Sequence, residues 1–166
     1  MKDQLFDKFF GLYISYLPVL TRIVDLTDGP ILELGMGFST MILDMMCCLT
    51  KRPLVSYEND RKWYEKSLVY ASDFHQILLA EDWDKIDIDS THWSVAFIDH
   101  RPALRRRVEA KRLKDNADYV ILHDSEPEIN KFYRYTDIYP LFKYRYDYTR
   151  CKPYTVVLSN FKKLNL

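Results

Sequence analysis

Pro30-Ile31-Leu32-Glu33-Leu34-Gly35-Met36-Gly37-Phe38-Ser39-Thr40 is the stretch that decides the fold. Ile31 to Leu34 has the character of a buried strand, Gly35-x-Gly37 turns the chain, and Ser39-Thr40 open an apolar helical segment. Glycines let the backbone come close to a ligand, and a helix N-terminus offers N–H groups to it. A strand-turn-helix of this kind holds an anionic or polar ligand. The acidic residues around it select which one.

Working outward, the chain alternates strands and helices. Residues 2–25 carry apolar positions at helical spacing (Leu5, Phe9, Leu12, Tyr16, Leu20, Ile23), with Pro18 as a break. Residues 39–49 are apolar nearly all round, which predicts a deeply covered helix enclosing both Cys47 and Cys48. Strands follow at 54–58, 76–80, 94–98 and 119–122, with helices over 60–72, 102–114 and 127–139. The last two strands, 142–148 and 154–159, have only a turn at Cys151-Lys152-Pro153 between them. Continuous apolar strands separated by helices predict a parallel sheet covered on both faces, and the final strand pair predicts an antiparallel edge. The whole of 1–166 reads as one α/β domain, with 1–28 as an N-terminal helical segment over the pocket.

Composition narrows the partners. A formal net charge of +0 gives no global attraction to nucleic acid or to a membrane surface. The uncharged run from Phe9 to Thr21 falls short of a membrane span. Three cysteines without metal-ligand spacing imply a reduced, cytoplasmic setting.

Ligands of open α/β sheets sit beyond the carboxyl ends of the strands. Those ends carry Glu33 with the glycine turn, Glu58, Glu81-Asp82, Asp99-His100 and His123-Asp124. Five acidic strand ends along one edge exceed what helix capping requires. Glu58 follows the glycines by about 20 residues, where a carboxylate accepts hydrogen bonds from ribose hydroxyls. Thr40 stands where a dinucleotide-binding turn has its third glycine, and Glu33 would repel a pyrophosphate. A carboxylate there suits a ligand carrying an ammonium or sulfonium group.

Glu33-Leu-Gly35-Met-Gly37-Phe-Ser39-Thr40 together with Glu58 resembles the first two motifs of class I S-adenosylmethionine-dependent methyltransferases. The order of elements resembles that family's Rossmann-like, seven-stranded, mostly parallel sheet with a C-terminal antiparallel pair. The resemblance implies that the Gly35–Gly37 turn and the helix start at Ser39-Thr40 underlie the methionine part. It also implies that Glu58, with Asn59 beside it, holds the ribose, and that Asp82 and Trp83 frame the adenine. Phe97-Ile98-Asp99-His100, with His123-Asp124-Ser125 one strand later, is similar to small catechol-type O-methyltransferases. In those, acids at these two positions help bind a divalent metal such as Mg²⁺, and the residue matching His100 contacts the cofactor. Asp99 and Asp124 match in place. Pro102 stands where that family has its general-base Lys, and Ser125 where it has Asn, which weighs against metal dependence here.

His123 and His100 are candidates to take a proton from a hydroxyl or amine, since imidazole titrates near neutrality. Each is equally well read as a strand-end residue hydrogen-bonded to structure. Arg101 adjoins Asp99-His100 and joins them, His123 and Asp124 as a candidate catalytic group. The remaining basic run from Arg101 to Lys114 reads as a solvated helix face, with Leu104, Val108 and Leu113 turned to the sheet. A phosphate-contacting surface for RNA is the alternative reading. The expected activity is methyl transfer from S-adenosylmethionine to an O or N nucleophile of a small or medium acceptor. A non-catalytic module that binds cofactor or partner is the rival, and a second copy of the chain is one way to close an open pocket.

Overall fold

The computed structural model describes residues 14–164. Seven strands, β1 Ile31–Leu34, β2 Leu54–Glu58, β3 His75–Leu79, β4 Trp93–Ile98, β5 Ala117–His123, β6 Tyr144–Tyr148 and β7 Thr155–Ser159, build one sheet. Their order is β3-β2-β1-β4-β5-β7-β6. The first five are parallel, and β7 runs antiparallel between β5 and β6. The helices are α1 Leu17–Asp25, α2 Phe38–Thr50, α3 Arg61–Ser67, α4 Arg106–Leu113 and the single turn α5 Asn130–Tyr133.

The central strands read as unbroken apolar runs because both faces are covered, and every residue of β1 and β4 is buried. Alternate side chains leave β1 in opposite directions. Ile31 joins α1 and α2 in one core with Leu20, Ile23, Leu43 and Phe97. Leu32 and Leu34 join α4 in the other, with Ile98, Ala110, Leu113 and Leu122. Strand β6 lies at the edge, with its tyrosines half-buried and Arg145 and Asp147 exposed.

The break expected at Pro18 falls there: Ser15 and Tyr16 form a turn after helical Ile14, and Pro18 sits in the first turn of α1, where a proline costs no intrahelical hydrogen bond; the rest of the expected N-terminal segment, 2–13, lies outside the described residues. The structure departs from the sequence reading at three places. Helix α2 packs on the sheet by one stripe (Ser39, Thr40, Leu43, Cys47). Its other side is bare, with Met45 54% and Leu49 80% exposed and Cys48 exposed as well. The expected helix over 127–139 is a series of short turns, interrupted where Arg134 adopts a positive φ of 53°. In α4 the buried positions are Arg106, Glu109, Ala110 and Leu113, whereas Leu104 and Val108 are exposed.

That last exchange positions the site. Sheet register sets Leu34 beside Ile98 and Ile98 beside Leu122, so β1, β4 and β5 end side by side. Gly35, Asp99 and His123 therefore emerge together at one edge.

Candidate active site

The turn after β1 is fixed by backbone geometry. Gly35 has φ +99°, and a Cβ there would lie 2.5 Å from the His100 nitrogen, so only glycine fits under the end of β4. Gly37, the N-cap of α2, has an extended backbone, and a Cβ on it would meet nothing within 4 Å. Its surroundings are open space, the opening of a cleft of about 720 Å³. Gly35, Gly37, Ser39, Asp99, Arg101, Arg106, His123 and Asp124 all reach this cleft. Ile14 and Tyr16, from the N-terminal segment expected to cover the pocket, line it as well.

Glu33 lies beneath the turn, not in the cleft lining. It is fully buried and accepts hydrogen bonds from Ser39 (2.6 Å), Thr40 (3.2 Å) and Ser56 (2.6 Å). Thr40 in turn accepts the Gly37 N–H at 2.9 Å. The acid thus braces the start of α2. Burial pushes its carboxyl up to about 7 against those three hydrogen bonds.

Glu58 is buried too. Its oxygens accept backbone N–H groups from Met36 (2.8 Å), Asn59 (2.8 Å) and Asp60 (2.7 Å), tying the end of β2 to the glycine turn. Asp60, not Asn59, caps α3. With its amide nitrogen turned inward, Asn59 donates to Glu58 and to the Arg101 carbonyl at 3.1 and 3.0 Å.

At the ends of β4 and β5, Arg106 organises the polar groups. Its Nε donates to the His100 carbonyl at 2.7 Å. Nη1 donates to the His123 carbonyl and to Asp124 Oδ2, at 3.3 and 2.9 Å. Nη2 donates to the Asp99 carbonyl and pairs with Asp99 Oδ1, both at 2.8 Å. Four hydrogen bonds and one ion pair thus hold the guanidinium. Tyr133 donates to Asp124 at 2.8 Å, Tyr135 to the His123 carbonyl at 2.9 Å, and Asp124 itself has a positive φ of 60°.

Burial alone would raise the Asp99 carboxyl, but Arg106 and His123 together hold it below the usual carboxylate range. His123 Nδ1 faces Asp99 Oδ1 at 3.4 Å and Asp124 Oδ1 at 3.7 Å. On the other side of the ring, Ser15 Oγ lies 2.9 Å from Nε2 and donates its own hydrogen to the Pro153 carbonyl at 2.6 Å. Ser15 therefore receives the Nε2–H. Tyr16 packs edge-on against the same ring at 5.0 Å.

Among the described residues, Asp99, His123 and Asp124 form the one acidic and histidine group close enough to share a metal ion. The charge resting between the two carboxylates, however, is the Arg106 guanidinium.

Three expected site residues lie elsewhere. His100 is sealed in the core, stacked on Trp83 at 4.1 Å and paired through Nε2 with Glu109 at 3.1 Å. It cannot act on a substrate from there. Trp83, expected to face the adenine, spends one ring face on that stack and is buried. Asp82 lines a separate groove with Lys85 and Tyr57. The sequence reading missed Arg106, Tyr16, Ser15 and the rim residues Trp63 and Tyr70. Only Arg106 had a detectable signal, since two acids at adjacent strand ends demand a cation and the next helix begins with three arginines.

No family model matches the sequence, and no curated protein is significantly similar to it. Solved structures are similar in fold. The N-terminal domain of human METTL16, in complex with SAH, aligns with a TM-score of 0.65 at 11% identity, covering 88% of this chain and 70% of that one. A putative tRNA (m1A22) methyltransferase of Streptococcus pneumoniae, in complex with S-adenosyl-L-methionine, aligns at 0.58 and 16% identity, covering 89% and 75%. The chain has the class I methyltransferase fold. A putative methyltransferase from Thermoplasma acidophilum adds a TM-score of 0.54 at 9% identity over 82% of this chain and 70% of that one. At such identities the likeness carries the methyltransferase fold and leaves the acceptor to be argued from the site. No helix among the described residues is long and apolar enough to cross a membrane.

Proposed function

We propose that this chain binds S-adenosylmethionine over the Gly35–Gly37 turn and transfers its methyl group to an N or O nucleophile held beside Asp99 and His123. The observation that carries this reading is the convergence, in one cleft, of an obligate glycine turn with an ionised carboxylate and an anchored imidazole. The residues fit that cofactor: the space above Gly37 is open, α2 begins there, and the buried acid below the turn suits a cationic ligand. Gly35, Gly37 and Ser39 would hold the methionine part, with Glu58 and Asn59 toward the ribose. When bound, the cofactor supplies an electrophilic methyl on a positively charged sulfur.

The chain's own work is then positioning. Asp99 accepts a hydrogen bond from the acceptor's O–H or N–H and fixes its lone pair toward the cleft floor. His123, locked between Ser15 and the two carboxylates, is placed to pass on the proton released. Arg106 keeps the Asp99 carboxylate ionised and holds both acids in place. His100, buried under Trp83, has no part in these steps.

A nucleobase acceptor is the reading the cleft rim favours over a purely aliphatic one. Phe38 and Trp63 stand 44% and 49% exposed there, with Tyr70 and Arg101 near them, and aromatic faces beside a cation stack bases well. One similar structure is described as a putative tRNA methyltransferase. The test is a label-transfer assay with methyl-labelled cofactor against RNA oligonucleotides, nucleosides, phenols and amines. Label should appear on at least one acceptor, and His123→Gln should lower kcat while cofactor affinity holds. Cofactor binding with no transfer to any acceptor would favour a non-catalytic module instead.

A further inference from the structure

Beneath the glycine turn, four polar side chains form an unbroken line through the α1–α2 side of the sheet. Ser56 Oγ lies 2.6 Å from Glu33 Oε2 and 2.9 Å from His75 Nε2, and His75 Nδ1 lies 3.0 Å from Asp44 Oδ1 on α2. Glu33, Ser56 and His75 are buried, whereas the Asp44 side chain is 26% exposed. Strand pairing sets this geometry, because Glu33 is level with Ser56 in adjacent parallel strands, and Ser56 with Ile77 two residues beyond His75. A structural brace for α2 needs only Ser39 and Thr40 on Glu33. The extension to His75 and Asp44 asks for another explanation.

Each of the three links needs one hydrogen. Ser56 brings one, so Glu33, His75 and Asp44 must supply two between them. With Asp44 kept as the carboxylate, two arrangements do so at the same total charge. In one, neutral Glu33 donates to Ser56, Ser56 donates to His75 Nε2, and neutral His75 donates from Nδ1 to ionised Asp44. In the other, ionised Glu33 accepts from Ser56, and a doubly protonated His75 donates to Ser56 and to Asp44. They interconvert by two hops along existing hydrogen bonds. The Glu33 O–H breaks as a new Ser56 O–H forms, and the old Ser56 O–H breaks as the His75 Nε2–H forms. No proton enters or leaves.

We propose that Glu33, Ser56, His75 and Asp44 are a proton relay that matches the charge of Glu33 to the charge of the cofactor above the turn. This rests on the cofactor reading given above. With a sulfonium over Ser39 the relay holds Glu33 as the carboxylate and parks the proton on His75. With the neutral thioether left after transfer, the proton returns to Glu33, which removes a buried charge lacking its partner and eases product release. These are positioning residues, since none touches the acceptor.

The surroundings suit that role. Burial pushes Glu33 up to about 7 and His75 below the ordinary imidazole range, and both shifts favour the proton on Glu33 when no cation lies above the turn. Asp99 adds to the rise at Glu33, and Asp44 opposes the fall at His75. The other ionisable groups facing the line are the Tyr16 phenol and the Cys47 thiol, the latter near Arg52. Burial raises both, Cys47 to about 11, and keeps them neutral across the working range.

The test is ¹⁵N spectroscopy of the full chain with labelled histidine, the His75 signals assigned by comparison with His75→Gln. Calorimetry first sets saturating S-adenosylmethionine and S-adenosylhomocysteine. With the homocysteine product, His75 Nε2 should report as unprotonated and Nδ1 as protonated; with S-adenosylmethionine both should report as protonated. As a second arm, Asp44→Asn, at the exposed end of the line, should lower the preference for S-adenosylmethionine over the product about tenfold, one pKa unit of differential interaction. The same His75 state with both ligands bound, or an unchanged preference in Asp44→Asn, would overturn the relay while leaving the cofactor reading intact. Failure of both ligands to bind would overturn the cofactor reading, and the relay with it.

Discussion

Replacing Arg106 by Met tests the reading of the site as a charge lattice. Arg106 is 5% exposed, and its guanidinium donates to three carbonyls and to Asp124 and pairs with the Asp99 carboxylate. Methionine fills much of the volume but leaves Asp99 and Asp124, 26% and 19% exposed at the side chain, without their shared cation. Removing one partner of a buried ion pair costs about 3–5 kcal/mol. For a chain of this size that is roughly 6–20 °C in melting temperature. The pH dependence gives a sharper signature. In the native protein the Asp99 carboxyl is depressed, so it contributes stability above its unfolded value of about 3.9, lost as pH falls through the folded value. Without Arg106, burial governs and the same carboxyl is raised, which destabilises the fold at neutral pH and ceases to do so once the group is protonated in both states. The gap between the two proteins should therefore be widest at pH 7 and shrink toward pH 4. Denaturant unfolding at both pH values measures it. A loss under about 1 kcal/mol, the range of an exposed pair, or a gap that does not change with pH, would refute the lattice.

Gly35→Ala and Gly37→Ala should separate folding from binding. The first sets a Cβ against the β4 backbone at a positive φ and should cost at least the 1–3 kcal/mol of backbone strain, read by thermal unfolding. The second meets nothing and should leave stability nearly unchanged while weakening cofactor binding on the order of tenfold, about 1.4 kcal/mol. Glu33→Gln should flatten the pH profile of stability. The raised Glu33 carboxyl favours the fold below its unfolded value and loses that contribution as pH rises toward 7, so the native unfolding midpoint should fall over that range and the variant's should not. A chelator should leave methyl transfer unaffected, because Arg106 already bridges Asp99 and Asp124; loss of activity restored by Mg²⁺ would show that the carboxylates release it for a metal.

The sheet was readable because its signals are local. Buried strands of four to six apolar residues, each ending in an acid or glycine, announce a parallel core. The glycine turn and the acids at the ends of β4 and β5 followed from that reading. What the sequence hid depends on which way a side chain points once the sheet is built. Glu33 looks like a direct ligand on paper, yet strand alternation turns it beneath the glycine turn, and the backbone N–H groups that tie Glu58 to that turn leave no mark in the sequence pattern. His100 follows directly on Asp99 but leaves the strand end toward α4, where Glu109 and Trp83 take it. Arg106 sits in a run of charges that resembles solvated surface, and only the two carboxylates opposite it draw it inward. Tyr16 and Ser15 reach the site from about 100 residues away in sequence, at Ser15 to His123 a separation of 108, a distance over which pattern carries no information.

The most direct measurement is calorimetric titration of the protein with S-adenosylmethionine, S-adenosylhomocysteine and NAD, repeated with Gly37→Ala. One-to-one binding of the first two, weakened in the variant, with no heat from NAD, is the expected result. Tight binding of NAD, or no binding of either adenosyl compound, would contradict it.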